Sequence, residues 1–275
     1  MSSTDTFRRA LRDYWIGIAI LVGLAALIDR KVALGMLIVF VGTYAVTYFS
    51  LRRVCTTIQP FTFDSGVPGP KVFMVGVHHG NEPASGVGLM NVVEQLQTKY
   101  LTVKKGSVTI VPFANPCGVL MNTREMPHQL MTGEQSDANR EYDDITPDRM
   151  VKHLKSIVDQ ADFVLDFHEG WGFATINPNS MGSGIYPGTN GKGVALAEQL
   201  TNDINAVSDL TVKSKFVYRK EWPEVQGSLR EYADDHNIPY VLVETSGQDD
   251  VLPMGQRVKQ VEFLAVRLLQ RLEVV

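Results

Sequence analysis

The sequence KVFMVGVHHGNEPAS, residues 71–85, joins an apolar run to a polar turn and then to a proline. Residues 71–77 have the short, continuous apolar pattern of a buried strand, and the proline favours the start of a helix at residue 83. The turn between them carries His78, His79 and Glu82. This order predicts a strand–turn–helix unit whose turn holds candidate metal ligands.

The same alternation continues along the chain towards the C-terminus. Apolar strands are predicted at 107–113, 162–167, 211–218 and 238–245, and helices at 83–99, 146–160, 191–204, 224–236 and 254–272. Thr146 and Pro147 are predicted as the cap and first residue of the second of these helices. Residues 60–70 and the glycine-rich segment 170–191 are predicted to be irregular. Strands that are apolar throughout predict an α/β fold, with a mixed, mostly parallel twisted sheet and helices on both faces.

Polar residues follow four of these strands at the point where each strand ends. His79 and Glu82 follow the first, Asn115 the second and His168 the third, while Glu244 closes the last. In open α/β sheets, ligands bind at the carboxyl ends of the strands. We therefore expect these side chains to meet at one edge of the sheet.

The spacing H-x-x-E with a distant histidine supplies two imidazoles and one carboxylate. That set, with an open fourth position, is typical of catalytic zinc sites of the carboxypeptidase A and thermolysin kind. Either His78 or His79 has a spacing to Glu82 that permits joint binding. A strand directs adjacent side chains to opposite faces, and a helix that begins only at Pro83 favours the tighter spacing, so we predict His79 as the ligand and His78 as its neighbour.

The N-terminal part has a different composition from the rest. Residues 14–28 and 32–51 are free of charged side chains and are separated only by Asp29, Arg30 and Lys31. The second stretch would span about 30 Å as a helix, which matches a hydrocarbon core. We predict a membrane anchor over residues 1–55, a transmembrane helical hairpin with helices at about 14–28 and 32–51, and a hydrolase domain over 56–275. A signal peptide is the alternative for the first stretch.

Charge distribution and cysteine content bear on the compartment. Arg8, Arg9, Arg12, Arg52 and Arg53 flank the outer ends of the hairpin, whereas its turn carries Arg30 and Lys31. This difference favours a cytoplasmic catalytic domain. The two cysteines, Cys55 and Cys117, rule out a disulfide framework and fit a reducing compartment, and Cys55 is predicted to be an inert thiol. A net charge of −4 gives no indication of nucleic-acid binding.

The motifs HHGNEPAS, NPCGVLMNTR, DANREY, DFHEG and VLVETSG occur in this order between residues 78 and 247. Together they resemble the zinc carboxypeptidases of the M14 superfamily, and especially its compact branches: succinylglutamate desuccinylase, aspartoacylase and the murein-peptide amidases. The resemblance spans about residues 71–270 and excludes the hydrophobic hairpin. Two positions depart from the usual pattern, since Ala138 stands in a D-L-N-R motif and Cys117 in an N-P-D-G motif.

The resemblance implies a role for individual residues. His79, Glu82 and His168 would bind one zinc ion. Arg124 would polarise the scissile carbonyl, and Asn139 and Arg140 would hold the substrate carboxylate. Glu244 would act as general base and then as proton donor. Asp166 is either a partner of His168 or a plain buried carboxylate; Glu169 either lines the site or faces solvent; His128 either contacts substrate or is exposed. The substrate-contacting tyrosine is left open among Tyr186, Tyr218 and Tyr232.

The predicted function is therefore hydrolysis of an amide bond adjacent to a substrate carboxylate by a zinc metallohydrolase. The substrate is either a peptide, for a carboxypeptidase or peptide amidase, or an N-acyl amino acid, for a deacylase. We see no added β-rich C-terminal module of the aspartoacylase kind, which favours the peptide. A catalytically inactive, membrane-tethered binding protein on the same fold is the rival from another class. The serine-hydrolase motif G-x-S-x-G is absent from the sequence, as are phosphate-loop and dinucleotide fingerprints.

Overall fold

A computed structural model of the chain describes residues 3–127, 137–207, 211–223, 225–248 and 251–275. Two long helices come first, α1 (Ser3–Ile28) and α2 (Arg30–Cys55). The strands are β1 (Phe61–Asp64), β2 (Lys71–Gly76), β3 (Ser107–Val111), β4 (Phe163–Trp171), β5 (Gly184–Pro187), β6 (Val217–Tyr218) and β7 (Tyr240–Gln248). The remaining helices are α3 (Pro83–Gln97), α4 (Pro116–Met121), α5 (Arg149–Val158), α6 (Gly191–Asn205), α7 (Leu229–Asp235) and α8 (Met254–Arg271), with short 3₁₀ turns at Ala138–Arg140 and Val212–Ser214.

The seven strands form one sheet in the order β1-β3-β2-β4-β7-β5-β6. Its centre, β3-β2-β4-β7, is parallel, whereas β1 pairs antiparallel with β3 and β5 pairs antiparallel with β7. Because parallel strands need crossover connections, helices cover both faces of this centre. One apolar core packs α3, α6 and α8 against the sheet, and a second packs α5 and α7 against its other face. The predicted mixed α/β fold is confirmed.

Several boundaries differ from the prediction. Strands β1 and β5 lie in the two segments predicted to be irregular, 60–70 and 170–191. Both are four-residue strands beside turns, too short to produce a clear periodic pattern. The strand predicted at 211–218 is wrong in its first half, which forms a 3₁₀ turn. Helix α5 is capped by Asp148, whose side chain accepts from the Met150 amide, so the cap predicted at Thr146 is also wrong.

Helices α1 and α2 are each 26 residues long and extend beyond the predicted apolar stretches. Segments of 20 residues in α1 and 26 in α2 have the length and mean hydropathy, 1.8 and 2.0, of candidate membrane spans. Asp29 caps α2 through a hydrogen bond from the Lys31 amide to its side chain. Most large apolar side chains of both helices are exposed, which distinguishes them from the helices packed on the sheet.

The two cysteines form a disulfide in the structure. Cys55, the last residue of α2, is bonded to Cys117 in α4, and their Cα atoms are 5.2 Å apart. The prediction of an inert Cys55 thiol is therefore wrong. The pairing could not be predicted from the sequence, because the two cysteines are 62 residues apart and meet only through the packing of α4.

Candidate metal and catalytic site

The turn after β2 is built from an unusual backbone conformation. Val77 has a φ of +56°, in the left-handed region that a β-branched residue rarely adopts. Its amide donates to Ser85 Oγ at 3.1 Å, and its carbonyl accepts from the Asn115 amide at 2.9 Å. These contacts hold the turn, so that His78 and His79 leave the strand in different directions. Such strain is typical of a site where side-chain placement matters more than backbone preference.

His79, Glu82 and His168 meet at the carboxyl edge of the sheet, and all three are buried. The Nδ1 atom of His79 lies 2.8 Å from Glu82 Oε1 and 3.1 Å from His168 Nδ1, which in turn lies 2.9 Å from Glu82 Oε2. Ligand atoms of a tetrahedral zinc at about 2.0–2.1 Å would be about 3.3 Å apart. The Nδ1 atoms of His79 and His168, together with the Glu82 carboxylate, are therefore a donor set that fits such an ion.

His78 belongs to a neighbouring buried group rather than to this triad. Its Nδ1 atom lies 3.1 Å from Asp166 Oδ1, and its Nε2 atom lies 2.8 Å from the Tyr142 hydroxyl. Asp166 also accepts from the Tyr240 hydroxyl and lies 3.2 Å from His168 Nε2. His78, Asp166 and His168 form a second group with metal-compatible spacing. Asp166 thus lies beside the outer nitrogen of His168, the position from which carboxylates orient metal-binding histidines in proteins.

The charges around these residues shift their pKa values. Burial opposes ionisation of Glu82, but the adjacent His79 and His168 rings outweigh it and hold its pKa well below the usual range. Burial likewise disfavours the charged form of His168, yet Asp166 and Glu82 raise its pKa. Burial raises the pKa of Glu244, with Glu82 and Asp166 adding to the effect and His168 and Arg124 opposing it.

Glu244 lies beside the triad because of strand register. It pairs with His168 across the parallel strands β7 and β4, and both residues line one cleft of about 220 Å³. Arg124, Asn139 and Arg140 line the same cleft, so every predicted site residue lies in or against it. The cleft therefore combines a metal-compatible triad, a carboxyl group of raised pKa and cationic side chains, which suits hydrolysis of a substrate with a carboxylate.

Two predicted site residues are engaged with protein groups. Arg124 donates to Asp137 Oδ2 from both Nε and Nη2, at 3.1 and 3.0 Å, and its Nη1 atom lies 3.4 Å from Glu82 Oε1. The Asn139 side-chain oxygen accepts from the Leu229 amide at the start of α7. The hydrogen bond from α7 therefore fixes the orientation of the Asn139 carboxamide.

Some residues at the site had no role assigned from the sequence. Asp137, Trp171, Met181, Trp222, Arg230 and Gln248 contact or line the cleft. Asp137 is the first residue of the DANREY motif and precedes Asn139 by two positions, so the motif itself could have indicated a role for it. The other five come from strand ends, loops and the start of α7, which only the fold brings to the cleft.

The remaining open alternatives can be placed in the described structure. Glu169 is buried away from the cleft, where it pairs with Arg257 of α8 and accepts from the Ala84 amide of α3. Among the described residues, the tyrosine that lines the cleft is Tyr240, not one of the three considered from sequence. His128 lies outside the described residues.

Comparisons with known proteins agree with the resemblance drawn from the motifs. Residues 68–175 match the family profile of the succinylglutamate desuccinylase/aspartoacylase catalytic domain. A search of curated proteins gave no match to this chain. The predicted resemblance to the M14 superfamily is confirmed by this profile together with the solved structures that share the fold.

Three solved structures illustrate the similarity. Tripeptide-bound cell shape determinant Csd4 from Helicobacter pylori superimposes with a TM-score of 0.65 at 21% identity, over 80% of this chain and 56% of that chain. The ectoine utilization protein EutE (DoeB) from Ruegeria pomeroyi gives 0.57 at 15% identity, over 79% and 61%. An aspartoacylase family protein from Mesorhizobium loti gives 0.56 at 18% identity, over 79% and 62%. The chain thus spans little more than half the length of these proteins.

Proposed function

We propose that this chain is a membrane-anchored zinc hydrolase that cleaves an amide bond next to a substrate carboxylate. One observation carries the proposal: the two histidine Nδ1 atoms and the Glu82 carboxylate converge within about 3 Å, beside Glu244 on the neighbouring strand. His79, Glu82 and His168 would hold the ion. Zinc bound there would supply the Lewis acidity that makes water a nucleophile at neutral pH.

The chain's own residues provide the remaining chemistry. Glu244 takes a proton from the attacking water and returns it to the leaving amine, a role favoured by its raised pKa. Arg124 stabilises the negative charge that develops on the carbonyl oxygen, and Arg140 with Asn139 holds the substrate carboxylate. Arg124 must exchange one of its contacts with Asp137 or Glu82 for substrate, since it is engaged with both.

Two substrate classes are supported by different observations. A peptide C-terminus is favoured by the similarity to Csd4, a D,L-carboxypeptidase, and by the apolar side chains of Trp171, Met181 and Trp222 along the cleft. An N-acyl amino acid is favoured by the family profile matched by residues 68–175. We propose the peptide substrate first and the N-acyl amino acid as the alternative.

The test uses the full chain, zinc-loaded in detergent, against a set of short peptides and a set of N-acyl amino acids. Release of free amine from one set identifies the substrate class, and the Glu244→Gln variant serves as the inactive control. Absence of turnover on both sets, together with failure of the purified protein to retain added zinc, would favour the inactive binding protein. A zinc content near one per chain with no turnover would instead direct the search to other amides.

The anchor is proposed over residues 1–55, and the side of the membrane is a separate matter. The charge distribution around the hairpin favours a cytoplasmic domain. The Cys55–Cys117 disulfide favours an oxidising compartment, because disulfides rarely persist in the cytosol. We give the disulfide more weight, since it is a specific pairing rather than a difference of three charges. Alkylation of both cysteines in native membranes without a reductant would support the cytoplasmic side instead.

A further inference from the structure

Helix α4 lies between the membrane hairpin and the candidate metal site. Its residue Cys117 is bonded to Cys55, the last residue of α2, with the two Cα atoms 5.2 Å apart. Arg52 and Arg53 occupy the last turn of α2 and are exposed, as expected for side chains at the level of lipid headgroups. Helix α4 is therefore held at the end of the second candidate span, next to the residues that mark the membrane surface.

The last turn of α4, which follows the buried Cys117, is apolar and exposed. Leu120 and Met121 follow Cys117 by three and four residues, so they lie on the same face of the helix. Leu120 is 83% exposed and Met121 36%, and Val54 next to Cys55 is 63% exposed. Single exposed apolar residues are common on protein surfaces. Val54 precedes Cys55, and Leu120 and Met121 follow Cys117 within four residues, so the disulfide brings these three exposed residues to one junction.

We infer that α4 is a membrane-contacting element that inserts Leu120 and Met121 into the lipid interface beside the end of α2. The occupant is a lipid surface, because the face is continuous with the hairpin to which the disulfide ties it. The inference rests on the membrane anchoring in the proposed function and adds a second point of contact to it. Apolar side chains at the headgroup boundary, next to basic residues, are typical of interfacial helices.

This contact would bring the metal site close to the bilayer. Gly80, the neighbour of His79, packs directly on Gly118 of α4: a Cβ at Gly80 would lie 2.0 Å from the Gly118 carbonyl carbon. The Gly80 amide also donates to the Arg124 carbonyl at 3.3 Å. The ligand turn thus packs directly against the backbone of α4, the helix that carries Leu120. The carboxyl edge of the sheet faces the membrane, and the edge where the strands begin faces away.

The experiment is photocrosslinking of the full chain in phospholipid vesicles. The photoreactive residue p-benzoylphenylalanine replaces Leu120, or Phe49 within α2, or Tyr100 at the opposite edge of the sheet. Tyr100 is a matched control, since it is 82% exposed and follows α3 near the start of β3. We expect lipid adducts at Leu120 and Phe49 and none at Tyr100, with mass spectrometry of the adduct as the readout.

The other possible outcomes would overturn either the membrane contact of α4 or the anchor. Adducts at Phe49 without adducts at Leu120 would overturn the membrane contact of α4 and leave the anchor intact. No adduct at Phe49 would overturn the anchor itself and the contact with it. Crosslinked dimers at Leu120 in place of lipid adducts would make the face an interface between copies. The same replacement at Met121 repeats the test if the Leu120 variant does not fold, and each variant is accepted only with its disulfide formed.

Discussion

Asp137 Oδ1 lies 3.0 Å from His79 Nε2, on the opposite side of the ring from the Nδ1 atom that faces Glu82. The other oxygen of Asp137 accepts two hydrogen bonds from Arg124. One carboxylate therefore orients a proposed metal ligand and a proposed catalytic arginine together. The pKa of Asp137 is held well below its usual range, because His79, Arg124 and Arg140 outweigh the cost of burial.

Replacing Asp137 by asparagine should weaken zinc binding without abolishing it. Loss of a carboxylate behind a metal-binding histidine typically costs about 10–100-fold in metal affinity. Turnover should also fall, because Arg124 loses its main partner. Chelator competition measures the first effect and steady-state kinetics the second, with the exposed Asp144→Asn variant as control. Unchanged zinc affinity would show that Asp137 does not act through His79.

Removal of the two adjacent histidines should have unequal effects. His79→Ala should abolish stoichiometric zinc, since it deletes one of three protein ligands. His78→Ala should keep one zinc per chain, with affinity reduced about 10-fold because Asp166 loses one of its partners. Metal content by mass spectrometry distinguishes them. The reverse pattern would mean that His78 is the ligand.

The Glu244→Gln variant should retain zinc and lose turnover. The carboxamide fits the same space but cannot accept the proton, and general-base catalysis typically contributes about 10²–10⁴-fold. We expect a loss of that size in kcat, with metal content unchanged. Glu94→Gln on the exposed part of α3 provides the matched control. Retained activity in the Glu244 variant would exclude this residue as the base.

Zinc affinity should increase with pH across neutrality. Burial disfavours the charged His168 ring, but Asp166 and Glu82 raise its pKa, so the metal-free protein holds a proton there that zinc must displace. Affinity therefore rises with pH until the pH exceeds that raised pKa. Asp166→Asn removes one cause of the shift and should move the rise to lower pH. Titrations between about pH 6 and 8 test this, and a pH-independent affinity in the unaltered chain would contradict it.

Reduction of the disulfide should loosen the catalytic domain from the hairpin. In the chain-entropy model, a crosslink that closes a loop of this length stabilises the fold by about 4 kcal/mol. The double variant Cys55→Ser, Cys117→Ser should lower the melting temperature of the full chain in detergent. Cys55→Ser alone should lower it by the same amount, because either change removes the bond. A melting temperature that is insensitive to both changes and to reductant would indicate that the bond does not form in the protein.

The sequence predicted the fold because its signal came from long, regular segments. Strands β2, β4 and β7 contain apolar runs, each followed along the chain by a polar residue, so the parallel topology accounts for the meeting of His79, His168 and Glu244. By contrast, β1 and β5 are short, and their existence depends on the neighbours β3 and β7 to which they pair. No local pattern encodes such pairing.

The site was predictable where motifs fix spacing and not where the fold creates contacts. Asp166 lies two residues before His168, so a link between them could be expected, and the structure supplies it. Arg230 and Trp222 reach the cleft only because α7 starts beside Asn139. The pairing of Cys55 with Cys117 depends on two segments that share no pattern. These contacts are tertiary, so no local sequence pattern predicts them.

The direct packing of Gly80 on Gly118 has a practical consequence for how the protein is prepared. A fragment that begins at residue 56 would keep the motifs but lose Cys55, and the Cys117 thiol would be left unpaired on the helix that supports the His79 turn. Its Leu120 would also be free to drive self-association. Measurements of zinc affinity or turnover on such a fragment would describe an altered support for the ligand turn. The whole 275-residue chain in detergent or lipid is the appropriate starting material.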